Sequence, residues 1–214
     1  MSKKIKNDYK EKIYQAAQRL FYEKGYTNTS VAEIIELSGT NKGSFYHYYS
    51  KKEDLAEAVL LNSHYQHVEL RNLFPEETSL VRMALENRVF WHVFFCHENF
   101  RRFITDLNRE SLHYESHYMN DPCKEYSRKV FTQKEYALIV NANIGLRRNL
   151  SIFMYDNFQK YEFYEPSDFY LTNLFKMFEI SKEDIDYTLK RSMELFYTLE
   201  ITTEGFDFYA EKKN

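Results

Sequence analysis

The chain has 214 residues, of which 43% are hydrophobic and 18% aromatic, enough to bury a core in one large domain or a small one joined to a larger. Five glycines and three prolines leave few helix breakers, and the two cysteines, Cys96 and Cys123, argue against a disulfide framework and for a reducing compartment. The net charge of −3 speaks against a nucleic-acid partner for the surface as a whole, yet residues 1–60 hold 10 Lys and Arg against 8 Asp and Glu, a net of +2. The remainder holds 19 against 24, a net of −5, and a basic end on an acidic body fits a protein that touches DNA with one end.

The first helix is predicted from about Asp8 to Lys24, with Ile13, Ala16, Ala17, Leu20 and Phe21 on one face and Gly25 placed to end it. The cations in front of and within it (Lys3, Lys4, Lys6, Lys10, Lys12) form a lysine-rich start with no hydrophobic segment behind it. Ser30 followed by Glu33 has the spacing of a capping box and opens a short helix with Ile34, Ile35 and Leu37 as apolar contacts. Gly39 then supplies a tight turn, and Asn41 caps a second short helix from Lys42 to Tyr48. Two short helices joined by a glycine-containing turn are a helix-turn-helix, and the second carries a dense set of donors and aromatic hydroxyls suited to phosphates and base edges. Ser50, Lys51, Lys52 and Glu53 open the next helix, which runs towards Leu70, and Pro75 disfavours helix at Phe74 and marks a boundary.

These residues resemble the DNA-binding domain of TetR-family transcriptional regulators. The resemblance runs through Ala17-Gln-Arg-Leu-Phe-Tyr-Glu-Lys-Gly25-Tyr26, Thr29-Ser30-Val31, Ile34, Lys42-Gly43-Ser-Phe-Tyr46-His-Tyr48-Tyr49 and Lys52-Glu-Asp-Leu55, about the first 60 residues. The chain departs from the family pattern at Ile35, Ser38 and Thr40. The resemblance implies an all-α fold: a three-helix DNA-binding domain over residues 1–55, then a larger helical bundle over 56–214 for effector binding and dimerisation. It also implies a homodimer whose subunits each insert a recognition helix into the major groove of one half of an imperfect palindromic operator. Thr40, Asn41, Lys42, Ser44 and Tyr46 are the candidates for base edges or nearby phosphates, and Thr29, His47, Tyr48, Lys51 and Lys52 for the DNA backbone. Repression is the usual outcome in the family.

Beyond Pro75, Leu80 to Phe95 is apolar nearly all round and reads as a buried central helix. Shorter helices are predicted from about Phe100 to Leu112 and from Tyr114 to an interruption at Asp121-Pro122. Thr132 with Glu135 makes a second capping box that opens a long helix to about Tyr161, Pro166 precedes one over Ser167–Phe178, and Ser181 with Asp184 caps the last, Lys182 to Leu199. No stretch is assigned to strand. The long helix and one of the two after it are the candidate dimer helices. Gly145, inside the long helix, suggests close helix approach at that interface, core crowding or a local kink.

Catalytic motifs are lacking: there is no glycine-rich phosphate loop, nucleophile elbow, zinc-hydrolase motif or Cys-x-x-Cys, so the expectation is a non-enzyme with no cofactor. His113 and His117 share a helical face, and His92, Cys96 and His97 on a neighbouring helix could complete a site, but seven scattered histidines are more simply surface or hydrogen-bonded groups than a metal site. Either cysteine would need a depressed pKa to act as a redox sensor. The aromatic-rich body is compatible with a small lipophilic or aromatic effector, with Trp91, Phe95, Tyr118, Asn141 and Asn143 as candidate contacts. No apolar run reaches membrane-span length, so the chain is expected to be cytoplasmic. A regulator without an effector and a helical adaptor for protein partners are the alternative readings.

Overall fold

The structure is a computed structural model that describes residues 3–112 and 117–213, and the side chains of all of these but 3–7, 62–71 and 117–119. Ten helices account for most of it: α1 (Lys3–Lys24), α2 (Val31–Ser38), α3 (Lys42–Tyr48), α4 (Lys52–Leu73), α5 (Ser79–Cys96), α6 (Glu98–Arg109), α7 (His117–Tyr126), α8 (Gln133–Asn157), α9 (Tyr164–Met177) and α10 (Lys182–Tyr197). The fold is all-α, as expected, with one addition at its end.

Local signals set several helix boundaries. Ser30 accepts from the Glu33 N–H while the Glu33 carboxylate accepts from the Ser30 N–H, so two donors that a helix start leaves unsatisfied are both met. The same reciprocal pair forms between Thr132 and Glu135 at the start of α8, and Ser181 caps α10. Gly39 ends α2 at φ 61°, a left-handed conformation that only glycine adopts without steric cost. Pro122 does not break α7, contrary to expectation. The bond it removes would have gone to the carbonyl four residues back, in the helix's first turn, so the rest of the ladder is intact.

The chain ends in strands, where the sequence was read as having none. α10 stops at Tyr197, and β1 (Leu199–Glu204) pairs antiparallel with β2 (Asp207–Lys212) in the register Leu199 to Lys212 through Glu204 to Asp207. Gly205, at φ 62°, lets the chain reverse in a two-residue turn. Leu199, Phe206 and Phe208 are buried, while Glu200, Thr202, Glu204, Tyr209 and Glu211 face out. A two-stranded hairpin is marginal alone, so this one is held by the apolar face it lays on the helices.

α5 is the central helix. It is flanked by α4, α6, α7, α9 and α10, and 12 of its 18 side chains are buried. One continuous apolar cluster runs from Ile13, Phe21, Ile34 and Phe45 in the head through Trp91, Phe94 and Phe103 to Phe206 and Phe208. A second packs Leu80, Met83 and Cys123 against Tyr170, Leu174, Phe175 and Phe178. α4 passes through residues 55 and 56 without a break, so the expected domain boundary falls inside a helix that spans head and body.

Candidate nucleic-acid interface

Phe45 orients the second helix of the helix-turn-helix. It is fully buried in the head core, with Tyr49, the residue that ends α3, nearly so. Burying Phe45 turns the opposite side of this seven-residue helix outward. Asn41, Lys42, Gly43, Tyr46 and His47 are exposed, and Ser44 and Tyr48 are half-buried. The Asn41 side chain accepts from the Ser44 N–H at 2.9 Å, so it caps α3 as well as standing at its exposed end. The Lys42 ammonium lies 5.9 Å from the ring of Tyr46, which packs edge-on against Phe45. One face therefore offers an amide, a cation, a phenol and an imidazole, side chains that hydrogen-bond phosphates and base edges.

Of the three departures from the family pattern, Ile35 and Ser38 lie in α2 and Thr40 in the turn that follows it. Ser38 Oγ donates to the Ile35 carbonyl at 3.0 Å and lies 2.7 Å from Thr40 Oγ1. Thr40 is thus partly engaged in holding the turn, a role its sequence position did not announce.

Two residues expected at the DNA backbone have inward tasks instead. Thr29 is buried, and its hydroxyl donates to the carbonyls of Gly25 at 2.8 Å and Leu20 at 3.3 Å, closing the end of α1. Lys52 donates to the carbonyls of Tyr26 and Thr29, both at 2.9 Å, and its ammonium lies 4.0 Å above the Tyr26 ring. Burial lowers the Lys52 pKa and raises that of the Tyr26 phenol. Lys52 is a staple within the head. Lys51, beside it, is exposed at the start of α4, where Asp54 accepts from the N–H groups of Ser50 and Lys51 at 3.0 and 3.2 Å.

Residues 13–59, which span this whole arrangement, match the family model described as bacterial regulatory proteins, tetR family. This segment is a TetR-family DNA-binding domain. Over 123 residues the chain is 28% identical to the probable HTH-type transcriptional regulator ArpR of Pseudomonas putida, a match that covers 58% of each chain. The chain thus spans little more than half the length of that curated relative. Its fold is shared with the crystal structure of RolR in complex with resorcinol, at TM-score 0.57 and 15% identity over 89% of this chain and 97% of that one. It is shared equally with Thermus thermophilus FadR in complex with lauroyl-CoA, at TM-score 0.57 and 17% identity over 80% and 96%.

In the body of the chain, the described members of the expected effector set do not converge on one exposed lining. Trp91 is buried with its ring edge-on to Phe90, Phe94 and Phe95 at centroid separations of 5.5, 5.2 and 6.4 Å. Phe95 is half-buried against Phe158. Asn141 is exposed, its amide donating to the Ala137 carbonyl one turn back. Asn143 is buried and donates to Asn120 Oδ1 at 3.3 Å, with Tyr170 nearby, whose phenol burial pushes up. The Tyr118 side chain lies outside the described residues, as do those of His113 and His117. Asn120 and Tyr170 had no sequence signal beyond their residue type.

Among the described residues no group of three or more His, Cys, Asp or Glu is placed to hold a metal ion. His92 lies 3.8 Å from Cys96 Sγ, while His97 turns to Thr203 Oγ1 at 3.2 Å. Burial raises the pKa of both Cys96 and Cys123, the opposite of what an activated thiolate needs. An added Cβ on Gly145 would meet nothing within 4 Å, which removes crowding inside the chain as the reason for that glycine. No described helix is long and apolar enough to cross a membrane.

Proposed function

We propose that this protein is a cytoplasmic transcriptional regulator that binds an imperfect palindromic operator as a homodimer and represses. The observation that carries the reading is the outward face of α3, where Asn41, Lys42, Tyr46 and His47 stand exposed around a fully buried Phe45. Lys51 at the start of α4 adds a phosphate contact beside it. Selection of bound duplexes from a random library, followed by footprinting, tests this. Enrichment of a two-fold repeat, with affinity falling steeply as salt rises, is the expected result. Failure to enrich any duplex, or salt-insensitive binding, rejects it.

The dimer in this proposal forms through α9 and α10, which stand beside each other on α5. Their outer sides leave Phe169, Tyr187 and Tyr197 each more than half exposed, large aromatics of the kind enriched at interfaces. α8 contributes where Leu138 and Phe153 are also exposed.

The effector in this reading is a small lipophilic or aromatic compound. The resorcinol of RolR and the lauroyl-CoA of FadR, two proteins of the same fold, support those chemical classes. A regulator without an effector draws its support from Trp91, whose indole is surrounded by phenylalanine rings. Compounds of both classes, screened for release of the selected duplex, separate the two.

A further inference from the structure

The head and body meet directly along α6. Arg102 Nη2 donates to the Tyr22 and Glu23 carbonyls at 2.8 and 2.9 Å, satisfying acceptors at the end of α1. Asp106 Oδ2 accepts from the Thr27 N–H at 3.1 Å, and Phe21 stacks on Phe103 at 5.7 Å. These contacts all come from one side of one helix. A row of contacts along a single helix resists sliding better than it resists rocking about that helix.

The C-terminal hairpin supplies contacts in other directions. Phe206, at its turn, lies against the Tyr22 ring of the head at 5.2 Å and the Phe103 ring of the body at 4.4 Å. Phe208 packs on Phe100 at 6.2 Å, and β2 runs against α4, the helix that joins head to body. The Lys212 ammonium sits 4.4 Å over the Phe74 ring at the far end of α4. On the other strand, Thr203 meets His97 at the corner between α5 and α6. The hairpin therefore touches α1, α4, α6 and the α5–α6 corner at once.

We infer that the C-terminal hairpin is a strut that fixes the tilt of the DNA-binding head on the body, with Phe206 as its positioning residue. The hairpin meets the head only at its edge, through Tyr22 of α1, while Phe45, Ile34 and Ile13 are held among the head's own helices. The hairpin itself is too small to persist unless docked. Its docking and the head's position are consequently linked, and whatever loosens one loosens the other. Two heads joined in one dimer reach two half-sites together only if their tilt is held, because bivalent binding depends on the geometry between the sites. This consequence for operator binding rests on the function proposed above; the strut itself does not.

The test reads head position without DNA. In a Cys96→Ser background, spin labels are attached at Ser50→Cys in the head and Lys182→Cys in the body, both exposed positions. Labelled chains are diluted into unlabelled protein so that only distances within one chain are read by pulsed electron resonance. With the natural hairpin the distribution is expected to be narrow; Phe206→Ala is expected to broaden or shift it while circular dichroism keeps the helical signal. Should Phe206→Ala fail to fold, the peripheral pair Thr203→Val and Lys212→Ala carries the same expectation. On the duplex selected above, loosening the strut is expected to lower affinity about tenfold for two half-sites and less than about twofold for one. A folded variant whose distance distribution matches the parent's overturns the strut. A parent chain that selects no duplex overturns the DNA-binding reading instead and leaves the distance result to stand or fall alone.

Discussion

Arg102 and Gly25 face each other across the junction of head and body. A Cβ on Gly25 would lie 3.0 Å from Arg102 Nε and 2.9 Å from Asp106 Oδ2, and the residue's φ of +85° is in the left-handed region. The glycine that ends α1 is thus also a point of close approach between the head and α6. Gly25→Ala is expected to destabilise the protein by about 1–2 kcal/mol through backbone conformation alone, and further through displacement of the two side chains. The midpoint of urea unfolding measures it.

Lys51 and Lys52 are adjacent but should fail differently. Lys51→Ala removes an exposed cation and is expected to weaken duplex binding and flatten its salt dependence by about one phosphate contact. Lys52→Ala takes its donor from the Thr29 carbonyl and leaves the Tyr26 carbonyl with only the Thr29 N–H, so it is expected to lower thermal stability while the salt slope stays that of the parent. Titrations at several salt concentrations, paired with melting curves, separate the two.

Arg88 is buried in the body, where it donates to Ser192 Oγ at 2.9 Å and the Leu189 carbonyl at 2.7 Å and pairs with Asp168 at 2.8 Å. It joins α5 to α9 and α10. Removing the counter-charge strands a buried cation, so Asp168→Ala is expected to cost about 2 kcal/mol. That is below the ~3–5 kcal/mol of a fully buried pair because Asp168 itself keeps 43% exposure. Denaturant unfolding of the single variant checks it.

The two capping glutamates predict acid behaviour. Hydrogen bonds from Lys24 and Ser30 hold Glu33 down at about 2, and those from Thr132 and Lys129 do the same for Glu135. Because the folded values lie below the ordinary carboxylate value of 4.5, the stabilisation is whole above that pH and is lost as pH falls towards about 2. Glu33→Gln and Glu135→Gln are expected to flatten the decline of stability across that window, read from unfolding curves between pH 5 and about 2.

Tyr187 is exposed on α10 in line with the proposed dimer face. Tyr187→Glu is expected to shift sedimentation from dimer to monomer and to abolish binding to two half-sites together. A variant that still sediments as a dimer moves the interface to α8.

What the sequence determined by itself was whatever depends on neighbours three or four residues apart. The caps at Ser30, Thr132 and Ser181 and the limits of α3 between Asn41 and Tyr49 all follow from local hydrogen bonds that any chain with those residues would make. The residue pattern of the head was readable for the same reason, since Phe45 and the residues around it lie within one short helix. Tertiary structure decided what those residues face. Thr29 and Lys52 look like surface donors until Tyr26 and the end of α1 enclose them. Arg88 finds its partners 101 and 104 residues away, and Asn143 finds Asn120 on another helix. The hairpin is the plainest case. Its alternation of Leu199, Ile201 and Thr203 is too short to compete with the helical pattern before it, and its strands become stable only when α1, α4 and α6 cover Phe206 and Phe208. A burial that two distant segments must supply together leaves no periodic trace in either one.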